Sequence, residues 1–141
     1  MVKGRISHNA TLDDRLFSLL AIMEDDFGIN LEYTDTARTI KEHIELYKRL
    51  EKDNRLEEGK RWYEVIAWGS RHLPNWSGTL KGVDIKGKGC CSDIYLSGDE
   101  LAELLITASK ILGLNIGLGI GLEFCHIDVR SYTPKPWRYK Y

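Results

Sequence analysis

The most constraining feature of the sequence is a capped amphipathic helix that is followed directly by two strand-like segments. Ser97 and Glu100 have the spacing of a capping box, and Gly113 is suited to end the helix because glycine adopts left-handed backbone conformations. Between them, apolar residues recur at helical spacing: Leu101, Leu104, Leu105, Ala108 and Leu112. Residues around 115–119 and 123–130 then have the composition of strands joined by a glycine-rich turn.

Further helices and strands are predicted in the first two thirds of the chain. Leucines at helical spacing indicate a helix over about 12–25, and Thr39 with Glu42 forms a second capping box that opens another helix. Three more segments have strand-like patterns, and one long segment is rich in glycine, serine, proline and asparagine, which is typical of a loop. The strands are predicted over 31–35, 62–68 and 91–96, and the loop over 69–89. This order of elements predicts an α+β fold, with helices on one side of a small antiparallel sheet.

Length and charge restrict the kind of protein further. The chain has 141 residues, which predicts a single domain over 1–141, and its formal net charge of −1 argues against a nucleic-acid partner. Charges or glycines interrupt every apolar stretch, so we expect no membrane span. The first eight residues have basic side chains without an apolar stretch after them, so we expect cytoplasmic synthesis without a secretory signal.

One short motif near the C-terminus has residues suited to hydrolytic chemistry. On a strand over 123–130, His126 and Asp128 share a face, because side chains alternate. Glu123 comes at the start of that strand, beside Gly121, where a turn can redirect its side chain. A carboxylate close to a metal-bound imidazole can take a proton from water, so Glu123 and His126 are candidates for a base and a metal ligand.

A second histidine and two aspartates extend the list of candidates. His72 follows Ser70 by two residues in the loop segment, and Asp84 and Asp93 each precede an isoleucine in an apolar setting. An aspartate in an apolar strand needs a partner, because an unpaired buried carboxylate is costly. Either a metal ion or an arginine would supply that partner.

Taken together, these residues resemble the zinc peptidases of the M15 family, which includes D-Ala-D-Ala carboxypeptidases and phage L-alanyl-D-glutamate endolysins. The resemblance covers about residues 12–141. Arg38 stands where the family has the arginine of its G-[YL]-R-[ST] motif, and His72 matches the histidine of S-x-H. Glu123 and His126 match the family's closing strand, which supplies the base and the last zinc ligand.

The aspartate ligand is where this chain departs from the family pattern. The family places it seven residues after the first histidine, whereas here the interval from His72 is longer for either candidate. Asp93, in the sequence Gly-Cys-Cys-Ser-Asp-Ile, resembles G-x-A-x-D-I and precedes the capped helix as in the family. Asp84, in Gly-Val-Asp-Ile, resembles A-V-D-I. We therefore expect Asp93 to be the ligand, with Asp84 as the alternative.

The resemblance implies an M15 or hedgehog-like peptidase fold and a Zn²⁺ site formed by His72, Asp93 and His126. Glu123 would activate zinc-bound water, Arg38 would bind a substrate carboxylate or the scissile carbonyl, and Asp128 would orient a ligand or pair with Arg130. The expected activity is hydrolysis of a peptide bond in bacterial peptidoglycan, as a carboxypeptidase or endopeptidase. Such a protein would be a monomer that reaches the cell wall after release, as a phage endolysin does.

Two other interpretations stay open from the sequence. One is a catalytically inactive module that binds the cell wall or a peptide on the same scaffold, because a fold does not guarantee activity. The other is a structural zinc site whose fourth position is closed by Cys90, Cys91 or Cys125. An odd number of cysteines argues against a disulfide framework, and we expect small buried side chains at all three positions.

Overall fold

The computed structural model describes residues 2–6, 9–34 and 37–140, and it shows a mixed α+β fold. The helices in these residues are α1 (Asp14–Asp25), α2 (Ile40–Lys52), α3 (Trp62–Val65) and α4 (Gly98–Leu112). The strands are β1 (Asn9–Leu12), β2 (Asn30–Tyr33), β3 (Ser77–Leu80), β4 (Gly82–Lys88), β5 (Asn115–Ile120), β6 (Cys125–Arg130) and β7 (Trp137–Arg138). None of the helices in the described residues has the length and apolar character needed to cross a bilayer.

The chain divides into two compact units. The first comprises residues 1–5, 11–35 and 79–141, and the second comprises residues 6–10 and 36–78. The first unit contains a five-stranded sheet with the order β2-β4-β6-β5-β7, while β1 pairs with β3 in a two-stranded sheet. Neighbours in the larger sheet are antiparallel, except that β7 runs parallel to β5. The sheet therefore agrees with the predicted α+β class and is almost entirely antiparallel.

One face of the larger sheet forms the core of the first unit together with α1 and α4. In β6 the side chains of Cys125, Ile127 and Val129 are buried, while the residues between them point to the opposite face. Apolar residues of both helices belong to the same core: Leu16, Leu19, Leu20, Met23, Leu101, Leu105 and Ala108. The alternation leaves His126 and Asp128 on the other face of the sheet.

Both predicted capping boxes are confirmed, and the predicted end of α4 is confirmed as well. The Ser97 and Thr39 hydroxyls accept hydrogen bonds from the amides of Glu100 and Glu42, and both glutamates accept from the cap amides. Gly113 follows α4 with φ 65° and ψ 34°, the left-handed conformation in which a side chain is unfavourable.

Three of the predicted segments differ from the structure. Residues 62–68 contain the short helix α3 rather than a strand, since the amide of Trp62 is held by the Glu51 carboxylate (2.6 Å) and starts a turn. The predicted loop 69–89 contains β3 and β4. Residues 91–96 form a turn and one isolated bridge at Tyr95, not a strand. Asp35, the last residue of another predicted strand, lies outside the described residues.

Glycines explain why β4 was mistaken for a loop. A Cβ atom at Gly82 would lie 2.8 Å from the Asp128 Cβ, and one at Gly87 would lie 2.8 Å from the Ile29 Cγ2. These two glycines allow close packing within the sheet and against the core. Composition alone does not distinguish such glycines from those of a loop.

We expect Leu105→Ala to lower the free energy of unfolding by about 2–5 kcal/mol, because Leu105 is fully buried between the helices and the sheet. Urea denaturation measures this change. Leu122→Ala is the matched control, since that side chain is 77% exposed and should shift stability by less than about 0.5 kcal/mol. Equal losses in the two variants would contradict the assigned core.

Candidate functional site

His126 lies between two aspartates on the polar face of the larger sheet. Its Nδ1 is 2.7 Å from Oδ1 of Asp84, and its Nε2 is 2.7 Å from Oδ2 of Asp128. Asp84 is brought there by strand pairing, because β4 and β6 place it directly opposite His126. The imidazole is 26% exposed, so solvent or a ligand can reach it.

Arg130 and Trp137 complete the surroundings of this histidine. Arg130 donates from Nε to Oδ1 of Asp128 (2.6 Å) and from a terminal nitrogen to Oδ2 (3.2 Å). Its guanidinium also lies over the Trp137 ring, 5.3 Å from the centroid, and that ring is 5.8 Å from the His126 ring. The predicted pair of Asp128 with Arg130 is therefore present, and Asp128 also contacts His126.

The pKa values in the cluster reflect competition between burial and pairing. Burial lowers the pKa of His126, but its hydrogen bonds to Asp84 and Asp128 and their charges outweigh burial, so the pKa is raised above its ordinary value. Burial raises the pKa of Asp128, but Arg130 and His126 outweigh it and the pKa is lowered. In the metal-free protein, the cluster therefore favours a protonated imidazole between two carboxylates.

Glycines on neighbouring strands leave the space that these side chains occupy. A Cβ atom at Gly117 would collide with Nε of Arg130 and Oδ1 of Asp128. A Cβ atom at Gly119 would lie 2.5 Å from Nε1 of Trp137. The alternating glycines of β5 are thus part of the site, and sequence reasoning had read them only as strand and turn residues.

We expect Gly117→Ala to displace the Asp128 carboxylate and weaken its hydrogen bond to His126, because the added methyl group needs the space that Oδ1 of Asp128 and Nε of Arg130 occupy. Overpacking of this kind costs about 1–3 kcal/mol, and weaker support from Asp128 should lower the pKa of His126 in the metal-free protein. NMR titration of the imidazole measures the shift. Gly89→Ala is the control, since nothing lies within 4 Å of its added Cβ, and an unchanged His126 pKa in Gly117→Ala would contradict this packing.

A cavity of about 320 Å³ opens beside Asp84. Its lining residues combine an acid, a base and two aromatic side chains: Thr34, Asp84, Lys86, Phe124 and Tyr139. Phe124 and Tyr139 stack with their ring centroids 5.3 Å apart. The volume is at the lower end of the range of small-molecule sites.

Glu123 lies in the turn between β5 and β6, where it is exposed to solvent. Its charge contributes to raising the pKa of Tyr95, after the larger effects of the Glu32 hydrogen bond, burial and the Glu32 charge. The turn gives Glu123 freedom from strict strand alternation, as predicted. The hydrogen bonds of the described residues do not include one between Glu123 and His126.

Asp93 and Asp84 have different surroundings. Asp93 is exposed in the turn after β4, whereas Asp84 is in hydrogen-bond contact with His126. The expectation that Asp93 completes the site therefore has no supporting contact, and the geometry favours Asp84, the alternative.

In the second unit, Arg38 and His72 are neighbours through their backbones. The Arg38 amide donates to the His72 carbonyl (2.6 Å), and the His72 amide donates to the Ser70 hydroxyl (3.2 Å). The buried Nε of Arg38 has no hydrogen-bond partner among the described residues. A buried donor without a partner is rare in folded proteins.

His43 is a buried polar residue of the second unit that sequence reasoning did not single out. It is fully buried, its Nε2 lies 2.9 Å from the Ala67 carbonyl, and its ring contacts Tyr47 edge-on at 5.1 Å. These contacts give His43 a packing role between α2 and the segment after α3. The only sequence signal for this burial was the position of His43 within the predicted helix α2.

The described part of the first unit contains few side chains that are placed to bind a metal ion together. Within the described residues, no group of three or more histidine, cysteine, aspartate or glutamate side chains is arranged to hold a metal ion. Asp84 and His126 supply two suitable donors, Oδ1 and Nδ1, which face each other at 2.7 Å and need a proton or a cation between them. Asp128 at Nε2 is the kind of outer partner that metal-binding histidines have, so the described residues supply two possible zinc donors, which hydrogen-bond to each other in this structure.

No protein-family model, curated protein or solved structure matches this chain.

Proposed function

We propose that this protein is a zinc-dependent peptidase that hydrolyses a peptide bond in bacterial peptidoglycan. The observation that carries the proposal is the position of His126, with Asp84 at one nitrogen and the Asp128–Arg130 pair at the other. This cluster borders the cavity beside Asp84, and the sequence around it resembles the closing strand of the M15 peptidases. An M15 or hedgehog-like fold over residues 1–141 is part of the same proposal.

Asp84 and His126 would hold the zinc ion, and Asp128 would fix the orientation and tautomer of the imidazole. Zinc, when bound, lowers the pKa of a coordinated water toward neutrality and polarises a carbonyl. His72 as a further ligand stays a prediction from the S-x-H motif. The geometry leads us to propose Asp84 in place of Asp93 as the carboxylate ligand.

Three side chains would act on the substrate. Glu123 would accept the proton of the attacking water and return it to the leaving amine, as a carboxylate in an exposed turn can do. Arg38 would bind a carboxylate or carbonyl oxygen, and its unpartnered Nε supports that role. Lys86 lies in the cavity beside Asp84 and would attract an acidic peptide.

Digestion of defined muropeptides tests the proposal and identifies the bond that is cut. We expect the zinc-loaded protein to release either a terminal D-alanine or the fragments of an L-alanyl-D-glutamate cleavage, both of which mass spectrometry distinguishes. We further propose that the protein acts as a monomer on the bacterial cell wall, as phage endolysins do. Absence of any new product from both substrates would refute the peptidase proposal.

A module that binds cell-wall peptides without cutting them is the second candidate. The absence of a three-donor metal group in the described part of the chain favours it. Such a module would co-sediment with purified peptidoglycan and leave its muropeptide pattern unchanged. Co-sedimentation together with new products would instead favour the peptidase.

A further inference from the structure

Cys90 and Cys91 are adjacent exposed thiols in the turn between β4 and α4, whereas the sequence predicted burial, which only Cys125 shows among the cysteines. Their sulfur atoms lie 3.3 Å apart, and both are free. The turn is closed by a hydrogen bond from the Ser92 amide to the Gly89 carbonyl (3.2 Å). The two side chains are therefore held together at the surface and do not contribute to the core.

The backbone of Cys91 adopts a conformation that is unusual for its residue type. Its φ is 64°, in the left-handed region that glycine or asparagine normally occupies at such turns. A residue with a side chain in this region is disfavoured by about 1–2 kcal/mol. Glycine at this position would remove the strain and also one of the two thiols.

The distance between the sulfur atoms suits a single bridging atom. A metal–thiolate bond is about 2.3 Å long, so two such bonds from one atom can span sulfurs up to about 4.6 Å apart. The observed 3.3 Å is within that reach without a change of backbone. Thiolates are soft ligands that select thiophilic ions over hard cations such as Mg²⁺ or Ca²⁺.

We propose that Cys90 and Cys91 form a two-thiol binding site for trivalent arsenicals. A monosubstituted arsenic(III) oxide has two valences available for sulfur, so it needs two thiols close together and no further ligand. Both thiol protons leave with the arsenic-bound oxygen as one water molecule, two As–S bonds form, and no oxidation state changes. The site is independent of the proposed peptidase activity, because neither thiol belongs to the His126 cluster.

Cys125 provides an internal contrast. Its side chain is fully buried, its Sγ donates to the Gly98 carbonyl (3.2 Å), and burial, together with the charge of Asp99, raises its pKa to about 12. A thiol that is inaccessible and stays protonated reacts poorly with electrophiles. The folded chain should therefore bind one arsenical at the exposed pair and leave Cys125 unmodified.

Intact-mass spectrometry of the native protein with phenylarsine oxide tests the proposal. We expect one adduct per chain that corresponds to addition of the reagent minus one water, and removal of the adduct by a small dithiol but not by an equal concentration of a monothiol. Cys90→Ser and Cys91→Ser should each lose the dithiol-specific adduct, whereas Cys125→Ala should keep it. Circular dichroism checks that each variant is folded.

An unmodified wild-type chain would overturn the proposal. An adduct that persists in either Cys90→Ser or Cys91→Ser would also overturn it, since a single exposed thiol would then be sufficient. Neither outcome depends on whether the protein hydrolyses muropeptides.

Discussion

Glu123→Gln is expected to retain the fold and the zinc content of the parent and to lose about 10²–10⁴ in turnover of muropeptides, the usual contribution of general-base catalysis. Glutamine has nearly the same shape and can still hydrogen-bond water, but it cannot accept a proton. Glu123 is exposed in a turn, so the substitution should change stability by less than about 0.5 kcal/mol. Steady-state rates of the purified variant measure the loss of turnover, and metal analysis measures its zinc content.

Glu103→Gln is the matched control for this variant, because it removes the same charge from an exposed position on α4. It should hydrolyse muropeptides at the parental rate. A Glu123→Gln protein that stays within a few-fold of the parent would remove Glu123 from the mechanism and leave it a surface acid.

Asp84→Ala is expected to cause a large loss of zinc affinity, because it removes a proposed ligand that faces His126 at 2.7 Å. Loss of a supporting group such as Asp128 typically costs about 10–100-fold in metal affinity, and loss of a ligand should cost more. Zinc titration should therefore show the highest affinity in the parent, a lower affinity in Asp128→Asn and the lowest in Asp84→Ala.

Asp93→Ala is the control that separates the two aspartate assignments. Its side chain is exposed in the turn after β4, so zinc affinity should stay at the parental value. Zinc loss in Asp93→Ala together with retention in Asp84→Ala would restore the assignment favoured by sequence and contradict the one favoured by geometry.

The sequence predicted well those elements whose signals are local. The capping residues of α2 and α4 and the glycine after α4 act within a few residues of their position, and each was confirmed. The apolar face predicted for α4 was confirmed at Leu101, Leu105 and Ala108 but was wrong at Leu112, which is exposed. The strand β6 was also predicted from a local signal, since apolar and polar residues alternate along its sequence, and its burial alternates in the same way. The strand predicted over 62–68 was wrong, and one contact at the start of the helix found there comes from Glu51, eleven positions earlier in the chain.

The surroundings of His126 depend on pairing between distant segments and could be predicted only in part. The histidine, Asp128 and Arg130 lie within one strand, so their shared face followed from alternation. The contact with Asp84 depends on the register between β4 and β6, and the proximity of Trp137 depends on the parallel pairing of β7 with β5. No local pattern encodes either register, which is why motif context favoured Asp93.

The zinc dependence of muropeptide hydrolysis is the most direct test of the central claim. Protein stripped by a chelator should be inactive, and stepwise addition of zinc should restore hydrolysis in proportion to bound metal until one ion per chain is reached. His126→Ala should neither retain zinc nor regain activity under the same titration. Hydrolysis that continues at an unchanged rate after complete removal of zinc, or that His126→Ala retains in full, would contradict the account.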